Sequence, residues 1–326
     1  MADWFTALTG LADDRPDTVR KGIAVRGADL ILPDGRHLWA GLLDLPRLAD
    51  LPAPPDGPRR LRLREVVADV QHLHADPDHA GAVFQVASQF NLLEMVGPSV
   101  APDQGIARYA GDRTQGPACA IACAAGTIWR NYLMPVGDQT GQTAARQVDT
   151  LADLGAALGN AGGALWAMRN GYALPPAGGL DAAARAIAAG DRAALTGLLR
   201  VGVQADTQVT LPGAGHAVTQ VYASAMPMAY AGGTQAAWEP LARLMLDSAY
   251  LATFGAVARA VAGGAPARLF LTRLGGGAFG NPPDWITAAI HGALSRWSAA
   301  DLDVVLVSHG HPDPANRALL QAFAAP

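Results

Sequence analysis

Short apolar runs rich in strand-forming residues recur along the chain from Leu61 onward. Leu61–Asp69 alternates apolar and polar side chains, as a strand with one buried face does. Ala82–Ala87 is a mostly apolar run with the length of a buried strand, and polar residues follow it directly. Further strands are predicted at Leu165–Asn170, Val201–Leu211, Val218–Met228, Arg268–Leu274 and Asp303–Val307.

Segments of helix-forming residues lie between these strands. The predicted helices are Ala118–Trp129, Gln139–Gly162, Leu180–Leu199, Glu239–Ala262 and Pro282–Trp297. Strands that alternate with helices in this way predict an α/β fold with a largely parallel sheet.

Residues 1–60 have a different pattern and are predicted to form an N-terminal extension with a linker. Ala28–Leu32 and His37–Leu42 flank a Pro-Asp-Gly turn signal, which indicates two short strands. Leu51–Arg60 is rich in proline and is predicted to be a linker on the surface. The remaining residues, 61–326, are predicted to form one domain that carries the function.

Composition limits the possible partners. Half of the 326 residues are hydrophobic and 16% are charged, so a large buried core is expected. The net charge of −4 argues against nucleic acid or an anionic membrane as the main partner. The N-terminus is acidic and no apolar run reaches membrane-spanning length, so a cytoplasmic protein without a signal peptide is expected.

The residues that most often bind metals do not form a convincing site. Cys119 and Cys123 are spaced as two core residues on one face of a helix, and a zinc site would need further ligands. The polar connection Val70–His79 contains three histidines and two aspartates, whose spacing favours a solvated loop over a metal site. The sequence therefore predicts no metal and no cofactor.

A concentration of acids and amides follows the predicted strand Ala82–Ala87. The strand leads into a loop rich in Pro and Gly, and the next helix begins shortly after Thr114-Gln115-Gly116-Pro117. A strand end that meets a helix N-terminus is where α/β proteins bind phosphate-bearing ligands. The polar residues of this stretch are Gln89, Asn91, Glu94, Asp103 and Asp112.

A second candidate loop follows the predicted strand Arg268–Leu274. Its residues are Gly275, Gly276, Gly277, Ala278, Phe279, Gly280 and Asn281. Glycines let a backbone approach an anion closely and point its N–H groups at it. The spacing matches neither a dinucleotide fingerprint nor a Walker loop, and a tight turn without a ligand is the alternative.

In context, this glycine loop resembles the second ligand loop of macrodomains, which are ADP-ribose-binding modules. The residues that carry the resemblance are LFLTRLGGGAFGNPPDWITAAIHGAL followed by LDVVLVSHG, and the likeness extends over about residues 61–310. It implies a three-layer α/β/α fold with a mixed, largely parallel sheet. It also implies that the glycine loop wraps the diphosphate and distal ribose, that Asp69 contacts the adenine amine, and that Asn91 faces the distal ribose.

Two segments resemble a divergent branch of that superfamily that contains arginine-specific mono-ADP-ribosyl hydrolases. They are Gln89-Phe90-Asn91-Leu92-Leu93-Glu94 and Asp112-Arg113-Thr114-Gln115-Gly116-Pro117. The likeness implies that ADP-ribose is bound by Gln89, Phe90, Asn91, Thr114, Gln115 and Gly116. The chain lacks the G-G-G…Q-E-E pattern of poly(ADP-ribose) glycohydrolases, which argues against chemistry on polymer chains.

The resemblance therefore implies an enzyme that removes mono-ADP-ribose from protein side chains, most of all from arginine. Breaking such an N-glycosidic bond needs a carboxylate near an oxocarbenium-like centre, and the sequence offers Asp112 first, Asp103 second and Glu94 third. The alternatives for these acids are a helix cap, a turn residue and an exposed helical residue. The alternative for the whole protein is a non-catalytic module that binds ADP-ribose or one of its derivatives.

Overall fold

The computed structural model describes residues 3–324, which contain fourteen strands. They are β1 (Ala24–Arg26), β2 (Asp29–Ile31), β3 (His37–Trp39), β4 (Leu42–Asp44), β5 (Arg62–Val67), β6 (Val83–Ala87), β7 (Pro135–Val136), β8 (Gln139–Thr140), β9 (Ala167–Arg169), β10 (Tyr172–Leu174), β11 (Gly202–Gln208), β12 (Ala217–Ala223), β13 (Arg268–Leu271) and β14 (Asp303–Ser308). Seven of them form a central sheet in the order β4-β11-β12-β6-β13-β14-β5. Pairing is parallel from β12 to β5 and antiparallel at β4, β11 and β12. The predicted α/β class, with a mixed and largely parallel sheet, is confirmed.

Helices cover both faces of this sheet. They are α1 (Trp4–Thr9), α2 (Pro16–Gly22), α3 (Val70–Ala75), α4 (Gln115–Ala122), α5 (Ala124–Ile128), α6 (Ala152–Leu158), α7 (Gly179–Ala189), α8 (Arg192–Gly197), α9 (Gln235–Ala262), α10 (Pro283–Arg296) and α11 (Pro314–Ala324). Because side chains alternate along a strand, Val83 of β6 lies in the core beneath α7, α9 and α10, whereas Phe84 lies in the core beneath α3 and α4. The structure thus has the three layers that the sequence predicts.

The prediction of one helix over Gln139–Gly162 is wrong for most of its length. Only α6 and the start of a short 3₁₀-helix, Ala161–Gly163, are helical there, and residues 141–151 form an irregular loop. Two polar side chains of this loop, Gln142 and Gln147, form hydrogen bonds with distant parts of the chain. The buried amide of Gln142, for example, donates to the carbonyl oxygens of Asn91 and Arg130 at 2.9 and 3.1 Å.

Two other predicted helices are interrupted. The segment 118–129 breaks at Cys123, where Thr210 replaces the missing helical hydrogen bonds: its N–H donates to the carbonyl of Ala122 and its Oγ1 accepts from the N–H of Ala124. The segment 180–199 breaks between α7 and α8, where Asp191 caps α8.

The predicted strand at 165–170 is one arm of a β-hairpin. Its strands β9 and β10 pair antiparallel across Asn170 and Gly171. Both turn residues have positive φ, 48° and 80°, which is the backbone that an Asn-Gly hairpin turn requires.

The prediction of a solvated loop at Val70–His79 is also wrong. Its first six residues form α3, and His74 is fully buried with its Nδ1 2.8 Å from the carbonyl oxygen of Val70. The ring stacks on Phe84 at 3.8 Å between centroids, and burial lowers the pKa of His74 to about 4. The predicted core positions of Cys119 and Cys123 are confirmed, since both thiols are free and buried.

The N-terminal segment packs on the main body and completes its sheet. Strand β4 forms one edge by pairing with β11, and β2 and β3 form the predicted hairpin. Phe5 and Leu30 belong to a buried cluster that also contains Leu93, Met95 and Tyr132. These N-terminal side chains therefore help to bury a segment that follows β6.

Asp13 ties this segment to the loop that precedes α4. Its Oδ2 accepts hydrogen bonds from the N–H groups of Ile106 and Ala107, each at 2.6 Å, and its Oδ1 accepts one from the Tyr132 hydroxyl. Burial raises the pKa of Asp13, while these hydrogen bonds act in the opposite direction.

Helix α9 is the one helix within residues 3–324 that is long and apolar enough to cross a membrane, whereas the sequence was expected to contain no such run. Two-thirds of its most apolar window, 67%, is buried inside the fold. Its apolar surface is thus used as the core of the α/β/α layers.

We expect Leu30→Ala to destabilise the protein by about 2–5 kcal/mol, because Leu30 is fully buried and its loss leaves a cavity. The same substitution at Leu42, which is 67% exposed, should change the free energy of unfolding by less than about 0.5 kcal/mol. Denaturant titrations of both variants measure the difference. Equal, small effects would mean that the N-terminal segment does not contribute to the folded core.

Candidate active site

A cavity of about 240 Å³ lies at the carboxyl ends of three neighbouring strands, β6, β12 and β13. Ligands of open α/β sheets bind at such strand ends. The cavity is bordered by the ends of these strands, the N-terminus of α4 and the glycine loop. Its lining residues are Ala87, Ser88, Gln89, Glu94, Met95, Val96, Asp112, Thr114, Gln115, Gly116, Pro117, Tyr172, Ala223, Ala225, Tyr230, Thr272, Arg273, Leu274, Gly275, Gly277, Ala278 and Phe279.

Glu94 is the most unusual residue of the cavity. It is 2% exposed, and neither carboxyl oxygen has a hydrogen-bond partner among the described residues. Burial raises the pKa of Glu94 to about 8, although the positive charge of Arg130 acts in the opposite direction. Glu94 therefore carries a proton at neutral pH and belongs to the lining of the cavity.

The segment that carries Glu94 is held by hydrogen bonds on both sides of it. The side-chain amide of Gln89 accepts from the N–H of Met95 and donates to its carbonyl, at 2.8 and 3.2 Å. The Tyr109 hydroxyl accepts from the N–H of Glu94 at 3.0 Å. Leu92 has a φ of 65°, which is uncommon for a residue with a side chain and is maintained by these surroundings. The acid is thus fixed before any ligand binds.

Helix α4 can approach Glu94 because residue 116 is glycine. A Cβ atom at Gly116 would lie 2.0 Å from the carbonyl oxygen of Ala87 and 3.0 Å from Cγ of Glu94. Thr114, at the N-cap of α4, makes no side-chain capping bond to the helix. Thr114, Gln115 and Gly116 all line the cavity, so the positive end of the helix dipole faces the same cavity as the buried acid.

Asp112 also lines the cavity, and one of its two carboxylate oxygens is engaged. Its Oδ1 accepts hydrogen bonds from the backbone N–H and the hydroxyl of Thr114, at 2.9 and 2.7 Å. This is the turn-forming arrangement that the sequence leaves open as an alternative. Asp112 and the glycine loop border one cavity, as the predicted function requires.

The glycine loop closes the opposite wall. Gly275, Gly277, Ala278 and Phe279 line the cavity, and Gly277 has open space where a Cβ would stand. Gly276, Gly280 and Asn281 do not line it. Asn281 instead shapes the loop, because its amide donates to the carbonyl of Met226 at 2.8 Å and its N–H donates to that of Gly275.

Three aromatic rings form a cluster along one side of the cavity. The ring of Tyr172 lies 4.9 Å from that of Tyr230 and 5.4 Å from that of Phe279, measured between centroids. Tyr230 and Phe279 are half-buried, whereas Tyr172 is buried and donates to the Met95 carbonyl at 2.6 Å. Sequence reasoning missed both tyrosines. The Asn-Gly turn before Tyr172 was the available signal, since it places β10 in a hairpin.

Besides Gly276, Gly280 and Asn281, four further predicted site residues lie outside the cavity lining. Asp69 caps α3 through a 2.7 Å hydrogen bond from its first turn, and Asp103 accepts one at 2.6 Å from the backbone of the loop after β8. Phe90 is a core residue, and the fully buried side chain of Asn91 bonds to Gln147 at 2.8 Å. Each is occupied by contacts that shape the fold around the cavity.

Within residues 3–324, no three or more His, Cys, Asp or Glu side chains are grouped so that they could hold a metal ion. The two acids of the cavity have different surroundings: Glu94 is buried and has no hydrogen-bond partner among the described residues, whereas Asp112 accepts hydrogen bonds from Thr114.

We expect Glu94→Gln to stabilise the protein at neutral and alkaline pH. The pKa of Glu94 rises from 4.5 to about 8 on folding, so the native state binds more protons than the unfolded state between these values. Stability should therefore fall as pH rises through this range, by a few kcal/mol, and the glutamine variant should lack this loss. Unfolding free energies measured from pH 4 to pH 9 check it. Glu239→Gln, at a surface ion pair, is the matched control, and parallel curves for wild type and Glu94→Gln would contradict the burial of an ionisable acid.

No protein-family model and no curated protein sequence matches this chain. Among solved structures, the chain is similar to poly(ADP-ribose) glycohydrolase from Deinococcus radiodurans in complex with ADP-ribose, with 12% identity, a TM-score of 0.42, and 82% of this chain and 87% of that one covered. It is also similar to the same enzyme's apo form, with 11% identity, a TM-score of 0.39 and coverages of 83% and 86%. The poly(ADP-ribose) glycohydrolase from Thermomonospora curvata shares 14% identity, a TM-score of 0.38 and coverages of 94% and 95%.

Proposed function

We propose that this protein is an ADP-ribosyl hydrolase, in which Glu94 donates the proton that releases the bond at C1″ of the terminal ribose. The observation that carries the proposal is a buried, protonated carboxyl group without a partner that borders a cavity beside a helix N-terminus and a glycine loop. A group with a perturbed pKa in such a cavity is typical of an acid–base catalyst.

The proposed reaction uses one carboxyl group twice, first as an acid and then as a base. Glu94 gives its proton to the departing oxygen or nitrogen as the bond to C1″ breaks, and the ribose acquires oxocarbenium character. A water molecule then attacks C1″, and the Glu94 carboxylate takes a proton from it, which restores the acid. A carboxyl group with a pKa of about 8 is suited to both steps near neutral pH.

The cavity also has the properties that bind a phosphate-bearing sugar. The N-terminus of α4 and the open backbone at Gly277 offer N–H groups and a positive dipole without bulk positive charge. The two segments that resemble ADP-ribosyl hydrolases contribute to this one cavity, through Gln89 and Glu94 on one side and Asp112 on the other. At about 240 Å³, the cavity has space for only a part of the ligand, and in this proposal that part is the reacting ribose with the adjoining phosphate.

We further propose that the substrate is mono-ADP-ribose on arginine. The three-ring cluster and Asp112 support this assignment, because aromatic faces and a carboxylate together suit a guanidinium group. The pKa of Tyr172 is raised by burial, by the neighbouring Tyr230 and, to a smaller extent, by the negative charge of Asp112. Asp112 is therefore near the three-ring cluster. In this assignment Glu94 donates the proton and Asp112 holds the modified side chain.

We expect Glu94→Gln to lower the rate of ADP-ribose release by about 10²- to 10⁴-fold, the range that a general acid contributes. Glutamine keeps the shape of the side chain, so affinity for free ADP-ribose, measured by calorimetry, should change by only a few-fold. Asp112→Asn should lower turnover less than Glu94→Gln, and Glu239→Gln should have no effect. Because the proposal includes no metal, EDTA should leave the rate unchanged.

Undiminished turnover by Glu94→Gln would remove the acid from the mechanism. If the wild-type protein binds ADP-ribose but releases none from arginine-, serine- or glutamate-linked substrates or from poly(ADP-ribose), the protein is a non-catalytic ADP-ribose reader. Release from the polymer alone would replace the arginine assignment.

A second prediction concerns the linkage. Tyr230→Leu and Phe279→Leu should lower kcat/KM for the arginine-linked substrate by about 2- to 30-fold, as the loss of a cation–π contact implies. The serine-linked substrate should be less affected, because serine carries no positive charge. Trp39→Leu, at an exposed position, is the control. An equal loss with both substrates would show that the rings do not select the cation.

A further inference from the structure

Arg130 is completely buried next to the segment that carries Glu94. It belongs to the π-helical turn Trp129–Leu133 that continues α5. Its Nε donates to the carbonyl of Leu92 at 3.1 Å and its Nη2 donates to Oγ1 of Thr127 at 3.2 Å. Its guanidinium lies over the ring of Tyr222, 3.7 Å from the centroid. Arg130 therefore holds the Glu94 segment from within the core.

The charge of this guanidinium is not neutralised by a salt bridge within residues 3–324. Its Nη1 is buried and has no hydrogen-bond partner there. A buried cation without a counter-ion is costly, so its presence in a core needs an explanation. Glu94 provides one, because its two carboxyl oxygens are also buried and without partners, and the two groups interact electrostatically.

The other titratable groups that interact with Glu94 are neutral. Tyr109 lies in the loop before α4, Cys119 in α4 and Tyr222 in β12, and burial raises the pKa of each well above its ordinary value. Cys123, which interacts with Arg130, is neutral for the same reason. Among the described core residues, Arg130 is thus the charged group that interacts with Glu94. The charge of Asp13 acts on Tyr109, which in turn interacts with Glu94.

We propose that Arg130 is the positioning residue that controls the proton of Glu94. It fixes the Glu94 segment through the Leu92 carbonyl, and its positive charge stabilises the carboxylate that forms when the proton leaves. When Glu94 gives up its proton, the buried pair becomes neutral overall, so proton transfer does not leave an isolated negative charge in the core. The role in turnover rests on the proposed function, whereas the effect on the titration of Glu94 does not.

The test is the titration of Glu94 in Arg130→Gln and Arg130→Lys. Glutamine keeps an N–H donor for the Leu92 carbonyl and removes the charge, whereas lysine keeps the charge. The infrared band of the protonated carboxyl group, assigned by its loss in Glu94→Gln, follows the titration without any substrate. We expect Arg130→Gln to raise the pKa of Glu94 by about one unit or more, and Arg130→Lys to leave it nearer the wild-type value.

The kinetic profile provides the second measurement. In Arg130→Gln the alkaline limb of kcat/KM should move to higher pH by the same amount while kcat falls, and Arg130→Lys should restore the position of the limb. Arg20→Gln, a half-buried arginine that donates to the Tyr132 carbonyl away from Glu94, should change neither curve.

An unchanged Glu94 titration in Arg130→Gln would overturn the proposal. If that variant does not fold, Arg130→Lys decides alone: a large rise in the pKa of Glu94 although the positive charge is retained would overturn it. Should Glu94→Gln keep full turnover, the proposed function fails, but the infrared titration still decides whether Arg130 controls the proton.

Discussion

The contact between the end of β6 and the N-terminus of α4 is the constraint on which the site depends. At Gly116 the helix lies so close to the Ala87 carbonyl that any side chain would collide with it. This approach excludes water from the carboxyl group of Glu94, and exclusion of water raises its pKa.

The same contact explains how the proposed ligand binding and proton transfer can share a small volume. The helix that buries the acid also turns its N-terminus toward the cavity, so a dipole that favours anions lies beside a neutral acid. A charged carboxylate there would repel a diphosphate, but a protonated one does not. The burial of Glu94 therefore reconciles an acidic residue with an anionic ligand.

Much of the fold follows from the sequence, because the strands carry their own periodicity. The alternation in Arg62–Val67 and the apolar run Val83–Ala87 are local signals, and the structure has strands at both. The helix predicted over 139–162 failed because Gln142 forms hydrogen bonds with residues far away in sequence. Propensity is local, and it cannot anticipate a buried amide whose partners are set by the tertiary fold.

The candidate site is likewise predictable only in part from the sequence. Sequence patterns indicate both loops, the glycines and three acids, but they rank Asp112 above Glu94. The order depends on burial and on free hydrogen-bonding capacity, which arise only when β6, α4 and the Tyr109 loop come together. Asp103 and Asn91 carry side chains suited to ligand binding, yet their partners within the fold occupy them.

Strand β4 has a consequence for any shortened form of the protein. It covers the outer edge of β11, so a chain that began after it would expose a row of unpaired backbone N–H and C=O groups. An uncovered edge of this kind is a template for strand pairing between molecules. Residues 42–44 thus protect the edge of β11 from pairing with other molecules, and fragments that begin in the proline-rich stretch 51–60 should be prone to aggregate.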